Sequence, residues 1–206
     1  MSDLGNIFDD VKVFLPKYLS EEDSRRLFDE LKGFPTNIDE RFYTTHLDNQ
    51  NVIFQGDGLR DFTVINLPNE KFYKSPIAVF SNTCDTDEEN SRLFPSQLVY
   101  APIFSLKAYQ NKVLAEGLKD EKSISNHIED IKKQKVTQIL YLPKGAKLPE
   151  DCIVFLDRVL HCDNKSVPRK DISKQKIFVL SNYGFYLFLI KLSIHFTRIQ
   201  EKVDRK

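Results

Sequence analysis

Five compact side chains in a row, Ser81-Asn82-Thr83-Cys84-Asp85, follow directly on the apolar run Ile77-Ala78-Val79-Phe80. A strand end presents its side chains to a cleft from a rigid scaffold, so this is where chemistry is sought first. Cys84 is a nucleophile if its pKa is lowered, and the usual partner for that work is a histidine. The four histidines, His46, His127, His161 and His195, are all distant in sequence, so none is assigned. Asp85 can orient a base or accept hydrogen bonds from a base edge. The same five residues also read as an Asx-type turn with a buried thiol, in which Asn82 and Asp85 bond local backbone.

Metal chemistry has weaker credentials. His161-Cys162-Asp163, with Cys152 nearby, lacks the second ligand pair of a zinc site. Asp85, Asp87, Glu88 and Glu89 form an acidic loop without EF-hand spacing, and read as a solvated loop. Walker A, GxGxxG and GxSxG motifs are missing from the sequence. No metal and no cofactor is expected.

The elements that position these residues are legible from spacing. Ser20-Glu21-Glu22-Asp23 opens a helix with acidic residues in its first turn; Leu27, Phe28 and Leu31 share one face, and Gly33 with Pro35 ends it. Short β-like runs follow at 42–45, 52–54, 62–67, 77–80 and 98–103, separated by turn residues. Ser105 caps a helix presenting Leu106, Tyr109, Val113 and Leu114. A second helix after Ser123 presents Ile124, Ile128 and Ile131. Strands resume at 137–142, 152–160 and 177–180, with a turn over 143–149. The final segment alternates briefly like a strand. Over a longer window Phe185, Leu189, Leu192, Phe196 and Ile199 keep helical spacing, as do Lys191, His195, Arg198 and Lys202. This predicts a long helix capped by Ser181, with an apolar stripe for the core or a dimer mate and a basic stripe for water or phosphate.

Three short motifs lie among these strands. Gly56-Asp57 precedes the run 62–67, Ser75-Pro76-Ile77-Ala78-Val79-Phe80-Ser81 forms the next, and Val99-Tyr100-Ala101-Pro102-Ile103-Phe104-Ser105 the one after. Their order resembles that of the MazF/PemK family of toxins, over roughly residues 55–200. The resemblance implies an SH3-like β-barrel with inserted helices and a closing C-terminal helix. It implies metal-independent RNA cleavage in many members, homodimers, and a cognate antitoxin as partner. In that pattern an Arg opens the second strand and a Thr follows the third; here those positions hold Ser75 and Phe104, with Lys74 one residue early and Ser105 one residue late. A one-residue offset turns a strand side chain to the other face. The expected groove therefore draws on Ser75, Ser81, Cys84 and Asp85 for catalysis. Lys74, Asn82, Ser105, Lys191 and Arg198 are expected to hold nucleic acid. The alternative is a non-catalytic module on the same scaffold, binding a protein or nucleic-acid partner.

Composition bounds these readings. The chain has 206 residues, with 30 basic and 30 acidic side chains. That excludes a uniformly basic RNA binder, an acidic disordered chain and a collagen-like repeat. The zero is unevenly built: residues 1–70 hold 7 basic and 14 acidic side chains, and residues 165–206 hold 10 and 3. Two regions are expected, an acidic helical extension over 1–50 that could lie over a basic surface, and a barrel domain over 51–206. Three cysteines, Cys84, Cys152 and Cys162, without a CxxC suggest a reducing cytoplasm. The first residues lack a signal-peptide pattern, and the greasiest stretch, 185–190, is far short of the roughly 20 apolar residues of a membrane span. A soluble cytoplasmic protein is expected.

Overall fold

The computed structural model describes residues 20–90, 93–117 and 120–197, and the chain divides into two compact units between Asn37 and Ile38. The first unit contains helix α1 (Glu21–Lys32), in which Leu27 and Leu31 are buried. Its C-terminus is closed by Gly33 and by Asn37, whose Nδ2 donates to Glu30 O at 2.6 Å. The helix expected after Ser20 is present, and it stops at the expected glycine.

The second unit is a mixed α/β fold around one antiparallel eight-stranded sheet. Its strands are β1 (Tyr43–Thr44), β2 (Gly58–Asn66), β3 (Asn69–Val79), β4 (Gln97–Ser105), β5 (Ile139–Leu142), β6 (Cys152–Phe155), β7 (Leu160–Asp163) and β8 (Lys176–Leu180). The spatial order is β1-β8-β2-β3-β4-β6-β5, with β7 also on β4. Tyr43 and Thr44 pair with Leu180 and Val179, so a boundary at residue 50 would cut β1 from its partner.

The expected closed barrel does not form, because this order has two ends. Its ends are β1 and β5, and the chain places the loop 143–149 against β1 and the neighbouring β8 where a closing ladder would run. Lys147 N reaches Ile177 O at 3.1 Å, and Tyr43 Oη donates to Pro143 O at 2.7 Å. A ladder cannot run along a segment that begins and ends with proline and turns through Ala146 at φ 47°.

Other departures have local causes. The run 52–54 is irregular, and 152–160 breaks into β6 and β7 around Asp157 and Arg158. β3 starts far earlier than expected, at Asn69. Its first six residues are all exposed, so no alternation marks them as strand.

Helices α2 (Thr83–Thr86), α3 (Leu106–Ala115), α4 (Glu121–Lys132), α5 (Ile172–Gln175) and α6 (Asn182–Thr197) complete the unit. Ser105 caps α3 as expected, its Oγ accepting from Ala108 N. α4 begins earlier than expected, with Asp120 as its cap. Ile124, Ile128 and Ile131 pack with Leu106, Ile139, Tyr141 and Ile153 into one core cluster. Ile53, Leu59, Val64, Ile77, Leu98 and Tyr100 belong to another.

The long C-terminal helix is present, and Ser181 Oγ accepts from Gly184 N at 3.1 Å at its start. Its buried residues are Tyr183, Gly184, Tyr186, Leu187, Phe188 and Lys191, however, not the stripe Phe185, Leu189, Leu192 and Phe196. Phe196 is 62% exposed. The helix is apolar nearly all round, so periodicity alone cannot select a face. Backbone approach selects it: a Cβ on Gly184 would lie 2.2 Å from Phe42 O, which only glycine permits. Ile199, Arg198 and Lys202 lie outside the described residues.

Candidate functional site

β3 and β4 pair from Val79–Tyr100 to Ile77–Pro102 and no further. Pro76 and Pro102 offer no N–H to extend the ladder. Beyond them a cleft of about 500 Å³ opens, lined by Lys74 and Ser75 from β3 and by Phe104 and Ser105 from β4. The two positions that the MazF/PemK resemblance singles out, Ser75 and Phe104, therefore face one cleft.

Arg60, Asp61, Lys147 and Glu150 line the same cleft. Sequence reasoning missed all four. Arg60 and Asp61 sit in a bulge of β2, where three steps from Leu59 to Phe62 span two from Ile77 to Ser75. Asp61 adopts φ 65°, and the extra residue re-aims this charged pair. The sequence signal was a charged pair interrupting an apolar run. Lys147 comes from the loop that stands in for a closing ladder; its Nζ donates to Lys176 O at 2.9 Å.

Three cations and two carboxylates thus surround two hydroxyls. Lys74 is exposed and donates to Thr63 Oγ1 across the β2–β3 pair at 2.9 Å. Ser75 is buried, its Oγ donating to Pro76 O at 3.1 Å. The Ser105 hydroxyl oxygen is engaged by α3.

Ser81, Asn82, Cys84 and Asp85 are not part of this cleft. Ser75 and Ser81 are six residues apart along β3 and its exit, about 20 Å of extended chain. A single groove holding both groups is therefore not what the fold builds. Ser81 is buried and ties β4 to the exit of β3: its Oγ donates to Gln97 O at 3.1 Å and accepts from Val99 N at 2.8 Å. Asn82 caps α2, accepting from Cys84 N at 3.0 Å, which is the Asx-turn reading. The thiol of Cys84, expected to be buried in that reading, is exposed.

The carbonyls at the end of α2 are held from afar. Buried Asn164 donates from Nδ2 to Thr86 O at 3.2 Å and to Ser96 Oγ at 3.1 Å. Arg169 donates to Thr86 O at 2.9 Å and to Asn164 Oδ1, with Glu88 3.9 Å away. These bonds fix the turn after β3; they present no hydroxyl or thiol to the cleft at the fork where β3 and β4 part.

Two lysines of the basic C-terminal segment point inward. Lys191 is buried, and its ammonium donates to Gln134 O at 2.8 Å and Val136 O at 2.6 Å, just past the end of α4. Burial draws its pKa down to about 8. The phosphate contact expected of Lys191 is thus unavailable, because its charge is spent on carbonyls inside the fold. Lys176 is fully buried and paired with fully buried Asp57 at 3.0 Å. Its Nζ also lies 4.5 Å from the Phe54 ring centroid. Asp57 Oδ2 accepts from Phe54 N at 3.0 Å, while Oδ1 has no partner. Burial pushes the Asp57 carboxyl up to about 6, outweighing the pull of Lys176. Gly56 before it takes φ 89°, and a Cβ there would meet Leu180 at 2.5 Å. The Gly56-Asp57 motif is therefore a buried turn that leads into β2, its geometry fixed by glycine and its charge paired inside the fold.

A second groove, of about 290 Å³, lies beside the fork and shares Phe104 with it. Tyr73, Asp157 and Arg158 are among its walls. The Arg158 guanidinium lies 4.2 Å from the Phe155 ring centroid and 5.4 Å from that of Phe104. Phe104 and Phe155 meet edge to face at 5.7 Å, and Phe155 meets Tyr109 at the same separation. Tyr109 Oη is 3.0 Å from His127 Nε2, which anchors the stack.

Among the described residues no three His, Cys, Asp or Glu side chains gather as a metal-binding cluster, and no helix is long and apolar enough to cross a membrane. No family model matches the chain, and no curated protein matches it.

Proposed function

We propose that the chain is a MazF/PemK-like toxin or defence protein that acts on RNA by binding a single strand at the fork between β3 and β4. The observation that carries this is the convergence of Arg60, Lys74 and Lys147 on one cleft beside an aromatic groove. Single-strand binders combine a cationic track for the backbone with aromatic faces for the bases. Resemblance adds a homodimer and a protein antitoxin as further partners. Binding a protein instead of RNA is the alternative that the same experiment separates.

The test is fluorescence anisotropy of a labelled single-stranded RNA 12-mer over a salt series. Three phosphate contacts predict a slope of log K against log salt of about −2, since each contributes about −0.7 on single strands. Arg60→Ala with Lys74→Ala should weaken binding at least tenfold and flatten the slope to about −0.7. RNA affinity that is absent, or untouched by these changes, refutes the reading.

Cleavage is a second reading, favoured by Asp61 and Glu150 lying in the same cleft as Arg60 and Lys74. In-line attack by a 2′-hydroxyl needs a proton acceptor and a cation where the phosphorane charge develops. Ser81, Cys84 and Asp85 have no part in it, since they lie elsewhere. RNA incubated with excess protein and chelator, then run on a gel, decides: fragments lost in Glu150→Gln support cleavage, and intact RNA removes it.

A further inference from the structure

The groove beside the fork has planar groups among its walls: Phe104, Arg158 and Tyr73. Phe104 and Arg158 are held from behind by a stack in which Tyr109 meets Phe155 and Phe155 meets Phe104 edge to face, with the Arg158 guanidinium over both phenylalanine rings. Tyr73, 44% exposed, comes from β3. A guanidinium plane and an exposed aromatic ring are the two surfaces on which unstacked bases are held. The groove adjoins the cationic cleft through Phe104, so a strand whose phosphate sits by Lys74 has a base within reach of it.

Asp157 supplies the polar edge. Its exposed carboxylate lines the groove next to Arg158 and offers acceptors only. On their Watson–Crick edges, adenine offers one donor beside one acceptor, uracil one donor between two acceptors, and cytosine one donor followed by two acceptors. Guanine alone presents two adjacent donors, N1–H and N2–H, which match the two oxygens of one carboxylate. An acceptor next to a carboxylate is repelled, so the other bases lose a contact and gain an opposing one.

We infer that this groove is a guanine-selective base slot, with the base stacked on Tyr73 and Arg158 and its Watson–Crick edge on Asp157. The inference rests on the RNA reading for its biological meaning, and its test is separable from that reading. GMP, AMP, CMP and UMP are titrated by calorimetry into the full chain, and an RNA 12-mer of uridines with one central guanosine is compared with oligo-U by anisotropy. GMP should bind at least tenfold more tightly than the other three. Asp157→Asn should abolish that preference, and inosine monophosphate, lacking the N2 amine, should bind severalfold more weakly than GMP. Tyr73→Ala should weaken all four nucleotides by similar factors, as a lost stacking face would. GMP binding no tighter than UMP, or a guanine preference that survives Asp157→Asn, overturns the slot. RNA binding without guanine preference overturns the slot alone. GMP selectivity without RNA affinity supports the slot and overturns the RNA reading.

Discussion

The buried pair Asp57–Lys176 makes a quantitative prediction about stability against pH. Both side chains are fully buried, 3.0 Å apart, and one carboxylate oxygen has no partner. Burial holds the folded carboxyl at about 6, against 3.8 for an unperturbed aspartate. Between those two values the native protein binds more protons than the unfolded chain. Stability contributed by this group is thus complete below pH 3.8 and is lost as pH rises through 6. At about 1.4 kcal/mol per pH unit, that gap corresponds to about 3 kcal/mol. The reference is the double variant Asp57→Asn/Lys176→Met, which removes both charges and leaves the other titrating groups in place. Urea unfolding at pH 4, 5, 6 and 7 gives the difference, wild type minus double variant, which should fall by about 2.4 kcal/mol across the series, the rest of the span lying below pH 4. Lys176→Met alone should extend the fall above pH 6, because the cation that restrains Asp57 is gone. Breaking such a pair on one side costs about 3–5 kcal/mol, whereas replacing both partners is often close to neutral. A flat difference, or one that rises with pH, refutes the assignment of Asp57 as a carboxyl held above its ordinary range.

Other expectations concern the remaining polar devices. Gln134 holds Tyr141 through Nε2 to O at 2.7 Å and through Oε1 from N at 3.1 Å; Gln134→Ala should cost about 3 kcal/mol in urea unfolding, as two buried backbone groups lose their partner. Lys191→Met should cost about 2 kcal/mol at neutral pH and leave RNA affinity unchanged. Because burial lowers Lys191 to about 8, its contribution should grow as pH rises from 8 towards 10.5, read as wild type minus variant. Cys84 is exposed, whereas Cys152 is buried with its thiol pushed up to about 11. A thiol reagent at pH 7.5, followed by peptide mass mapping, should modify Cys84 first and Cys152 only on unfolding.

Helices and strand cores were legible because burial imposes a period. Ile124, Ile128 and Ile131 are spaced as one helical face and are buried as one. What escaped were elements fixed by partners distant in sequence. The exposed start of β3 is strand only because β2 lies beside it, from Phe62–Ser75 to Asn66–Asn69. The orientation of α6 is set by its approach to Phe42 at Gly184, a contact between residues 142 positions apart that no local pattern encodes. The open sheet follows from the loop 143–149, whose prolines were visible, while its place beside β8 was not.

The candidate site shows the same division, and shows why counting charge by segment misplaces it. The 10 basic side chains of residues 165–206 suggested a basic surface there. Folding buries two of them, Lys176 against Asp57 and Lys191 against two carbonyls, and largely buries a third, Arg169, among the groups around Asn164. The cations that reach the fork cleft come instead from the acidic and neutral stretches: Arg60 through a bulge, Lys74 at a strand parting, Lys147 from a loop. A charge acts at a surface only where folding leaves it exposed, as it leaves Lys74 and Lys147. Where the chain leaves a cation exposed is decided by the ladder that stops at Pro102 and by the residue added to β2, both of which are tertiary facts. The Ser75-Pro76 and Ala101-Pro102 motifs could mark the place, because prolines end ladders wherever they fall. The side chains that fill it had to be read from the fold.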